Sequence, residues 1–370
     1  ELALISFEDQ PIQAEWHAHI QQFCQEIHVL PRQPFTYSRW KSIMGFFSLL
    51  PSAVVAGYSK DMEKLVKSVA HKWQPDMVFA LTFVTAPYAL KIPAVKRIVD
   101  MDNLLAIMLK EEITFANSSI QKFRRTLAYL KFRRYEDKIY SPFDFCLAVS
   151  EMDTQRVQNY THIQSHQAVC VPNGVDLEFY QIHTTPKEPL QLIYNGALTY
   201  QPNFDAMQYF LAEIFPQIQK VIPQCRLLIT GKTTAVPTQE LRLNENTFFF
   251  FFVDDIRPLV AAAEICIVPL RQGAGTRLKI LEAMALGSAV VSTIKGAEGL
   301  ALQHNQELLI ADTPTQFAQA VITLLQNPGL RNQLTRQARE TVAQKYDWEK
   351  IGSEFLKQVN GLFKNPESSV

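Results

Sequence analysis

Paired cysteine motifs are absent from this sequence. Its five cysteines are dispersed and show neither C-x-x-C nor any other metal-ligand spacing. An odd, scattered set of cysteines is typical of a reducing compartment, and no secretory signal opens the chain. These absences predict a cytoplasmic protein without a disulfide framework.

A net charge is absent as well, because 36 basic residues balance 36 acidic ones. A protein that binds nucleic acid usually carries a basic surface, so this balance predicts no nucleic-acid partner. The 370 residues are enough for two or three domains, each with a core of its own. Length and composition therefore fit a large soluble enzyme.

Strand-like apolar runs alternate with helical stretches along the chain. A first series lies at Met77–Ala80, Arg97–Asp100, Cys146–Val149 and Ala168–Val171. A second series lies at Leu190–Asn195, Arg226–Thr230, Thr247–Val253, Glu264–Pro269, Ala289–Thr293 and Glu307–Ile310. This alternation predicts an α/β protein with two Rossmann-like, doubly wound sheets. The prolines, glycine and polar residues between 172 and 188 predict a linker between them.

The clearest chemical signal is the segment 273–287, in which a glycine loop opens a helix. The glycines let the backbone approach an anion closely, and the helix N-terminus directs its N–H groups toward that anion. Arg277 and Lys279 add full charges, and Glu282 projects from nearly the same helix face, where it could accept hydrogen bonds from ribose hydroxyls. The pattern predicts a site for a nucleotide diphosphate. The alternative is a solvated ion pair on an ordinary helix.

Five short motifs around this loop occur in the order found in a known protein family. They are Pro172–Asp176, Tyr194–Ala197 with Pro202 and Asn203, Leu228–Gly231, Val253–Asp255 and Lys279–Ala285, and the match continues through Tyr346–Trp348. On these motifs the sequence resembles the GT-B glycosyltransferases of family 4, the "glycosyl transferases group 1" type. The resemblance covers the second half of the chain well and the first half only through its pattern of strands and helices.

The resemblance implies a GT-B fold, in which two Rossmann-like domains face a cleft. Residues 1–171 would form the N-terminal, acceptor-side domain and 172–188 the linker. Residues 189–345 would form the donor-binding domain, and 346–370 a helix that crosses back to the first domain. Family members usually begin one strand earlier, with a glycine-rich loop facing the cleft. We therefore expect the first strand and glycine loop of the N-terminal domain to be missing.

The resemblance also implies site residues. The expected catalytic residues are Lys279, Glu282 and Arg277, and the expected donor-binding residues are Asn195, Gly196, Val253, Asp254, Ile256, Gly273, Ala274, Gly275 and Thr276. The turn at 253–256 would meet the nucleotide base mainly through its backbone. The five phenylalanines before it, Phe248 to Phe252, predict a buried strand. Asn203 follows Pro202 and is expected to cap the next helix.

Two departures from the family pattern concern charge and the sugar. Many relatives place an arginine and a lysine after the glycine at 196, where this sequence has Leu198–Gln201. Arg277 and Lys279 are therefore the main candidates for offsetting the charge of the diphosphate. Relatives often carry a second glutamate at the position of Ala274, so backbone N–H groups of this loop would have to bind the sugar hydroxyls instead.

Relatives of this type retain the anomeric configuration and need no metal, because the helix dipole and basic side chains stabilise the departing diphosphate. We accordingly expect a nucleotide-sugar cosubstrate, no cofactor and no metal site. Asp100-Met101-Asp102 spells a metal-binding triplet, but a pair of strand-end carboxylates with a helix cap is the favoured interpretation. By resemblance, Asp102 and Asn103 would lie on the acceptor side.

Residues 122–138 combine seven basic residues with apolar ones, a pattern typical of a basic amphipathic helix at an anionic lipid surface. Peripheral contact with the inner face of the membrane is therefore one hypothesis, and a core helix with a solvated basic face is the other.

Three functions are compatible with these features. The first is a retaining glycosyltransferase that moves a sugar from a nucleotide donor to a glycan or lipid-linked acceptor, in polysaccharide or glycoconjugate synthesis. The second is a nucleotide-sugar epimerase, which would lack the motifs above. The third is a non-catalytic nucleotide-sugar-binding scaffold or partner subunit, favoured by Ala274 and the missing basic pair. We favour the transferase.

Overall fold

The computed structural model describes residues 1–8, 14–31, 48–93, 95–102, 104–114, 116, 118–181, 185–234, 236–273 and 275–363. These residues form two compact units. Unit 1 comprises Glu1–Ala148 and Asp153–Val169, and unit 2 comprises Val149–Met152 and Cys170–Val370. Of the predicted site residues, Asn103 and Ala274 lie outside the described part of the chain.

Unit 1 alternates strands and helices. Its strands are β1 (Ala3–Glu8), β2 (Glu26–Pro31), β3 (Met77–Leu81), β4 (Lys96–Asp100), β5 (Phe145–Ala148) and β6 (Ala168–Cys170). Its helices are α1 (Ala14–Ile20), α2 (Ser52–Gly57), α3 (Lys60–Trp73), α4 (Thr82–Ala89), α5 (Leu105–Thr114), α6 (Ser119–Tyr140) and α7 (Glu151–Tyr160). β1 pairs with β2 in parallel, and β3 to β6 form a second sheet in sequence order.

One helix packs against both sheets of unit 1. Met62 and Val66 of α3 are buried in a cluster that includes Ile5 of β1 and Val78 of β3. Ser59 caps the helix, because its side chain accepts a hydrogen bond from the backbone N–H of Met62. The shared helix therefore joins the two sheets into one unit.

A buried carboxylate caps the start of α5. The two oxygens of Glu136, which lies on α6, accept hydrogen bonds from the backbone N–H groups of Leu105 (2.7 Å) and Ala106 (3.1 Å). Burial raises the pKa of Glu136 to about 7, and the two amide bonds oppose that rise. Because the first turn of a helix leaves its N–H groups without partners, this contact ties α6 to α5.

Asp100 is the last residue of β4 and Asp102 follows it after Met101, as the predicted pair of strand-end carboxylates requires. Asp102 has a φ of 53° and donates its backbone N–H to the Asp100 carboxylate (2.8 Å), so the two residues form a tight turn after β4. The first N–H groups of α5, those of Leu105 and Ala106, donate instead to Glu136. Asp102 itself is exposed.

The predicted basic helix corresponds to α6, whose apolar residues are divided between core and surface. Phe132, Tyr135 and Tyr140 are buried. Nearer the start of the helix, Phe123 and Leu130 are exposed, with 63% and 54% of their surface accessible. The helix therefore presents apolar side chains among its basic ones rather than burying all of them. None of the helices in the described ranges is long and apolar enough to cross a bilayer.

Unit 2 also alternates strands and helices. Its strands are β7 (Glu188–Asn195), β8 (Arg226–Thr230), β9 (Thr247–Phe250), β10 (Ala263–Val268), β11 (Ala289–Ser292) and β12 (Leu309–Ile310). Its helices are α8 (Gln201–Tyr209), α9 (Phe215–Val221), α10 (Arg257–Ala262), α11 (Leu278–Ala285), α12 (Pro314–Gln326), α13 (Pro328–Lys345) and α14 (Trp348–Gly361). A π-helical turn, Phe210–Ile214, joins α8 to α9, and a 3-10 turn spans Thr238–Glu240.

The sheet of unit 2 has six parallel strands in the order β12-β11-β10-β7-β8-β9. The strand order reverses beside β7, because the chain proceeds outward on one side through β8 and β9 and on the other through β10 to β12. Its central strands are buried on both faces, as a sheet covered by helices on each side requires. Parallel α/β architecture is therefore confirmed, and ligands of such sheets bind at the carboxyl ends of the strands near such a reversal.

The prediction of a buried strand at the five phenylalanines is wrong. The strand ends at Phe250, and Phe248, Phe250, Phe251 and Phe252 are all exposed. Only Phe249 packs against the core. The reason is the position of β9 at the edge of the sheet, where it has one neighbouring strand, β8.

Two motifs far apart in sequence, Pro172–Asp176 and Tyr346–Trp348, meet in unit 2. Val175 donates its backbone N–H to the carbonyl of Tyr346 (2.8 Å) and accepts a hydrogen bond from the N–H of Trp348 (3.2 Å). A Cβ on Gly174 would lie 2.7 Å from the same Tyr346 carbonyl, so the two backbones approach as closely as a glycine allows. These bonds hold the segment around Val175 against the residues at the start of α14.

We predict that Glu136→Ala destabilises unit 1 by about 1–3 kcal/mol, because it leaves two buried N–H groups of α5 without an acceptor. Chemical denaturation followed by circular dichroism measures this change. Lys122→Ala is the matched control, because Lys122 is exposed on the same helix. Equal stabilities of the two variants would contradict the capping role.

Candidate functional site

A cavity of about 470 Å³ lies in unit 2 at the carboxyl ends of its strands. The ends of β7 and β8, the loops after β9 and β10, and the first turns of α8 and α11 form its walls. The lining residues are Asn195, Gly196, Tyr200, Pro202, Asn203, Thr230, Gly231, Phe252, Val253, Ile256, Leu270, Gln272, Thr276, Arg277, Leu278, Lys279 and Glu282.

Two glycines make room at the floor of this cavity. A Cβ on Gly196 would lie 2.4 Å from Nζ of Lys279 and 3.0 Å from Nδ2 of Asn203. Gly231 has a φ of 123°, and a Cβ there would lie 2.6 Å from the carbonyl carbon of Gly196. A Cβ at Gly231 would meet backbone, and one at Gly196 would have to displace the ends of the Lys279 and Asn203 side chains, so backbone forms the cavity surface after β7 and β8.

Lys279 is held in the cavity wall by uncharged groups. Its Nζ lies 3.4 Å from Oδ1 of Asn203 and 4.2 Å from the centre of the Tyr194 ring, an arrangement that favours a cation. The Tyr194 hydroxyl donates to the same Oδ1 (2.7 Å). Burial, with a smaller contribution from Arg277, lowers the pKa of Lys279 to about 8. An anion in the cavity would provide a negative counter-charge for this ammonium.

Glu282 lies one turn further along α11 and is half-buried. Its Oε1 accepts a hydrogen bond from the Tyr180 hydroxyl (3.1 Å) and its Oε2 accepts one from Nδ2 of Asn195 (3.3 Å). Burial raises the pKa of this carboxyl, while the Tyr180 bond, the charge of Lys279 and the Asn195 bond all lower it. The carboxylate is thus oriented from two sides.

Arg277 precedes α11 and is buried, with its guanidinium donating to the Gly275 carbonyl. The loop before it turns at Gly273 and Gly275, whose φ values are 107° and 84°. Thr276 accepts a hydrogen bond from Nδ2 of Asn173 (3.1 Å), which connects the loop to the start of unit 2. The glycine loop is therefore shaped by positive φ angles and anchored at its C-terminal end.

The cavity contains most of the predicted site residues. Eight of them line it, namely Asn195, Gly196, Val253, Ile256, Thr276, Arg277, Lys279 and Glu282. Asp254 is exposed and, like Gly273 and Gly275, is not among the lining residues. Asp102 belongs to unit 1, so the structure of unit 2 does not bring it to this cavity.

The prediction that Asn203 caps a helix is wrong. Tyr200 occupies the N-cap position of α8 without a side-chain bond. Asn203 lies one turn inside the helix, where its Nδ2 donates to the Ala197 carbonyl (2.9 Å) and its Oδ1 faces Tyr194 and Lys279. The helix begins at Gln201 rather than after Asn203, so the asparagine lies within the first turn and its side chain enters the cavity wall.

Sequence reasoning missed several lining residues, among them Tyr200, Thr230, Phe252 and Gln272. It also missed Tyr180, which contacts Glu282 across 102 positions of sequence. No local pattern marks such a pair. Phe252 could have been found, because the predicted strand before the 253–256 turn must end beside that turn. A cluster of three or more histidine, cysteine or acidic side chains that could hold a metal is not found within the described ranges.

Comparisons with known proteins concern the overall fold and the segment that forms this cavity. Residues 189–327 match the family described as "Glycosyl transferases group 1". The structure resembles that of Anabaena Alr3699/HepE in complex with UDP and glucose, with a TM-score of 0.66 and 13% identity over 98% of this chain and 100% of that one. The fold is therefore that of a GT-B protein. The match over residues 189–327 is to the family that the sequence motifs resemble.

Two sequence relatives extend the comparison. An "Uncharacterized 44.6 kDa protein in cps region" of Klebsiella pneumoniae is 24% identical over 250 residues, which are 65% of this chain and 63% of that protein. A phosphatidyl-myo-inositol mannosyltransferase of Mycobacterium tuberculosis is 26% identical over 207 residues, 51% of this chain and 53% of that protein. The chain thus spans less than two thirds of the length of these relatives.

We predict that the Lys279 ammonium titrates near pH 8 and that pyrophosphate raises this midpoint, because a bound anion favours the charged form. It follows that binding takes up a proton and that affinity for pyrophosphate falls as the pH rises above about 8. Nuclear magnetic resonance of lysine Cε groups, assigned with Lys279→Met, measures the midpoint. A midpoint that pyrophosphate leaves unchanged would contradict the anion site.

Proposed function

We propose that this protein is a retaining glycosyltransferase that transfers a sugar from a nucleotide-diphosphate donor without a metal ion. The observation that carries the proposal is the meeting of Lys279, Arg277 and Glu282 in one cavity at the carboxyl ends of a parallel sheet. The group 1 family of residues 189–327 supports the same activity.

The diphosphate of the donor would lie against Lys279, Arg277 and the backbone at Gly196. A buried arginine, a half-buried lysine and a helix N-terminus would form a preorganised environment for the charge that develops on the departing diphosphate. In this proposal the protein's own charges do what a metal ion does elsewhere, so no metal is needed. Each charge-assisted contact would contribute about 1.5–3 kcal/mol.

The nucleoside would occupy the wall formed by Glu282 and the turn after β9. Glu282 would accept hydrogen bonds from the two ribose hydroxyls, since an ionised carboxylate is an acceptor only. Val253 and Ile256 line the adjoining wall, where a base would meet apolar surface and backbone groups. The UDP complex of the structurally similar protein makes UDP the first nucleotide to test.

The sugar would lie toward the loop 273–276, whose backbone would bind its hydroxyls, with Ala274 at the place of the family's additional glutamate. We propose a glycan or a lipid-linked molecule as the acceptor. The names of the two sequence relatives, one from a cps region and one a phosphatidyl-myo-inositol mannosyltransferase, support this class. Asp102 and Asn103 of unit 1 are the proposed acceptor-side residues.

A lipid-linked acceptor fits a peripheral position at the inner face of the membrane. On α6, Phe123 and Leu130 are exposed, as are the basic residues Arg133 and Arg134. Apolar side chains can enter the headgroup region while basic ones meet anionic lipids. We therefore propose α6 as the membrane-contacting surface of the protein.

A second function, a non-catalytic nucleotide-sugar-binding subunit, is favoured by one observation. Leu198–Gln201 place no basic residue beside Gly196, and Leu198 is buried. The cavity therefore has fewer cations than the family pattern would provide. Both functions require donor binding, and only the transferase consumes the donor.

The decisive experiment combines binding with turnover. We predict that UDP, GDP or ADP raises the melting temperature of the chain and that Lys279→Met and Glu282→Ala each abolish the shift. Lys220→Met, at an exposed lysine of α9, is the control. Release of the nucleotide from the matching nucleotide-glucose or nucleotide-mannose, with a total lipid extract as acceptor, then measures transfer. Binding without release would support the non-catalytic function, and no binding would contradict both.

For the membrane surface, we predict that the chain co-sediments with vesicles containing phosphatidylglycerol and that the double variant Arg133→Glu, Arg134→Glu loses at least most of this binding. Reversal of two exposed basic residues of α13, Arg336→Glu with Lys345→Glu, is the matched control. An unmodified chain that stays in the supernatant would contradict membrane contact.

A further inference from the structure

The site contains one contact that the family motifs do not explain. Tyr180 lies outside the glycine loop and outside α11, yet its hydroxyl is 3.1 Å from Oε1 of Glu282. It packs against the apolar cluster that includes Ile256, on the side of the cavity where the nucleoside would bind. The tyrosine is therefore placed to act on Glu282 without lining the cavity itself.

The position of Tyr180 is fixed by its own turn. Oδ1 of Asp176 accepts hydrogen bonds from the backbone N–H groups of Glu178 and Phe179, each at 2.9 Å. The N–H of Tyr180 donates to the Asp176 carbonyl (2.8 Å). The turn is thereby closed by three hydrogen bonds that converge on one residue.

A second element holds this turn against the site. Arg257, at the start of α10, donates to the Phe179 carbonyl (2.7 Å), and its guanidinium lies 3.8 Å from the centre of the Phe179 ring. The Phe179 and Tyr180 rings are in edge contact, with centres 5.2 Å apart. Arg257 also forms an ion pair with Asp255 (2.8 Å), which lies within the turn 253–256. Arg257 thus connects the turn 176–180 to the turn 253–256.

The consequence for Glu282 concerns the plane of its carboxylate. Tyr180 donates to one oxygen and Asn195 donates to the other, from two different elements. Burial raises the pKa of Tyr180, so its hydroxyl remains a donor at all ordinary pH values. With one acceptor site used on each oxygen, the remaining lone pairs of both oxygens have fixed directions.

We propose that Tyr180 is a positioning residue for ribose recognition: its hydroxyl holds Glu282 in the orientation that accepts the two hydroxyls of the donor's ribose. This inference rests on the proposed function, because it requires a nucleoside at Glu282. It adds a residue whose removal changes the selection of ribose over 2′-deoxyribose without removing any charge from the cavity.

The test uses the full chain with UDP, GDP and ADP and with their 2′-deoxy counterparts, measured by calorimetry. Tyr180→Phe should weaken binding of the preferred ribonucleotide by about fivefold, the change expected for one hydrogen bond of ordinary strength. Binding of its 2′-deoxy counterpart should weaken less, so the preference for ribose shrinks. With the nucleotide sugar, KM should rise while kcat stays within about twofold, since the bond acts equally in the ground and transition states.

Tyr209→Phe is the matched control, because the Tyr209 hydroxyl bonds to the Asp312 carbonyl outside the cavity. Glu282→Gln provides the second arm: in that background, Tyr180→Phe should cause little further loss, as expected for two residues that act through one contact. Asp176→Ala keeps the tyrosine but loosens its turn, and should cause a smaller loss in the same direction. This variant reports on the proposal if Tyr180→Phe folds poorly.

An unchanged preference for ribose in Tyr180→Phe, or equal losses in the Glu282 and Glu282→Gln backgrounds, would overturn the positioning role while leaving the proposed function intact. An unmodified chain that binds none of the three nucleotides would overturn both. A shrinking preference in Tyr180→Phe but not in Tyr209→Phe would support the inference.

Discussion

The Lys279 ammonium is a half-buried positive charge that lies against uncharged groups, and the architecture of the site depends on it. Its neighbours are the Tyr194 ring, the Asn203 amide oxygen and the backbone at Gly196, while Glu282 lowers its cost only in part. A pKa near 8 in place of the ordinary 10.5 corresponds to roughly 3 kcal/mol against the charged form. A bound anion would offset this unfavourable contribution.

This constraint explains why particular small residues surround the lysine. Gly196 has no space for a Cβ because Nζ of Lys279 occupies it, and Gly231 has none because the Gly196 backbone does. Asn203 serves the lysine and the Tyr194 hydroxyl with a single oxygen. The cation thus lies where two strand ends present backbone to the cavity, beside the Tyr194 ring and the Asn203 amide.

A set of contacts from the segment 173–180 supports the side of the cavity where Glu282 lies. The segment after β6 is bound to the residues before α14 by the Val175 bridge, and Asn173 reaches the glycine loop through Thr276. The turn closed by Asp176 then presents Tyr180 to Glu282. The motif Pro172–Asp176 and the turn that follows it therefore help to build the site. They connect the glycine loop, α11 and α14.

The sequence was sufficient to predict the parallel α/β fold, because apolar runs of strand length alternated with helices throughout the chain. It also predicted that Arg277, Lys279 and Glu282 lie together, because they follow a glycine loop on one short helix and need no distant partner to be recognised. Predictions failed where the outcome depended on tertiary neighbours. The phenylalanine strand is exposed because β9 lies at a sheet edge, and α5 is capped by Glu136 from another helix.

The contacts of Tyr180 and Asn203 could not be predicted for the same reason. The partner of Tyr180 is 102 positions away, and the partners of Asn203 depend on α8 beginning at Gln201. Neither side chain differs locally from an ordinary turn or helix residue. Only the packing of the sheet ends brings them to Glu282 and Lys279.

A structure of the chain with a bound nucleotide-diphosphate sugar tests the central claim most directly. The account predicts the diphosphate within hydrogen-bond distance of Nζ of Lys279 and the backbone at Gly196, with both ribose hydroxyls on the Glu282 carboxylate. A nucleotide bound elsewhere on unit 2, or one in this cavity with its diphosphate away from Lys279, would contradict it.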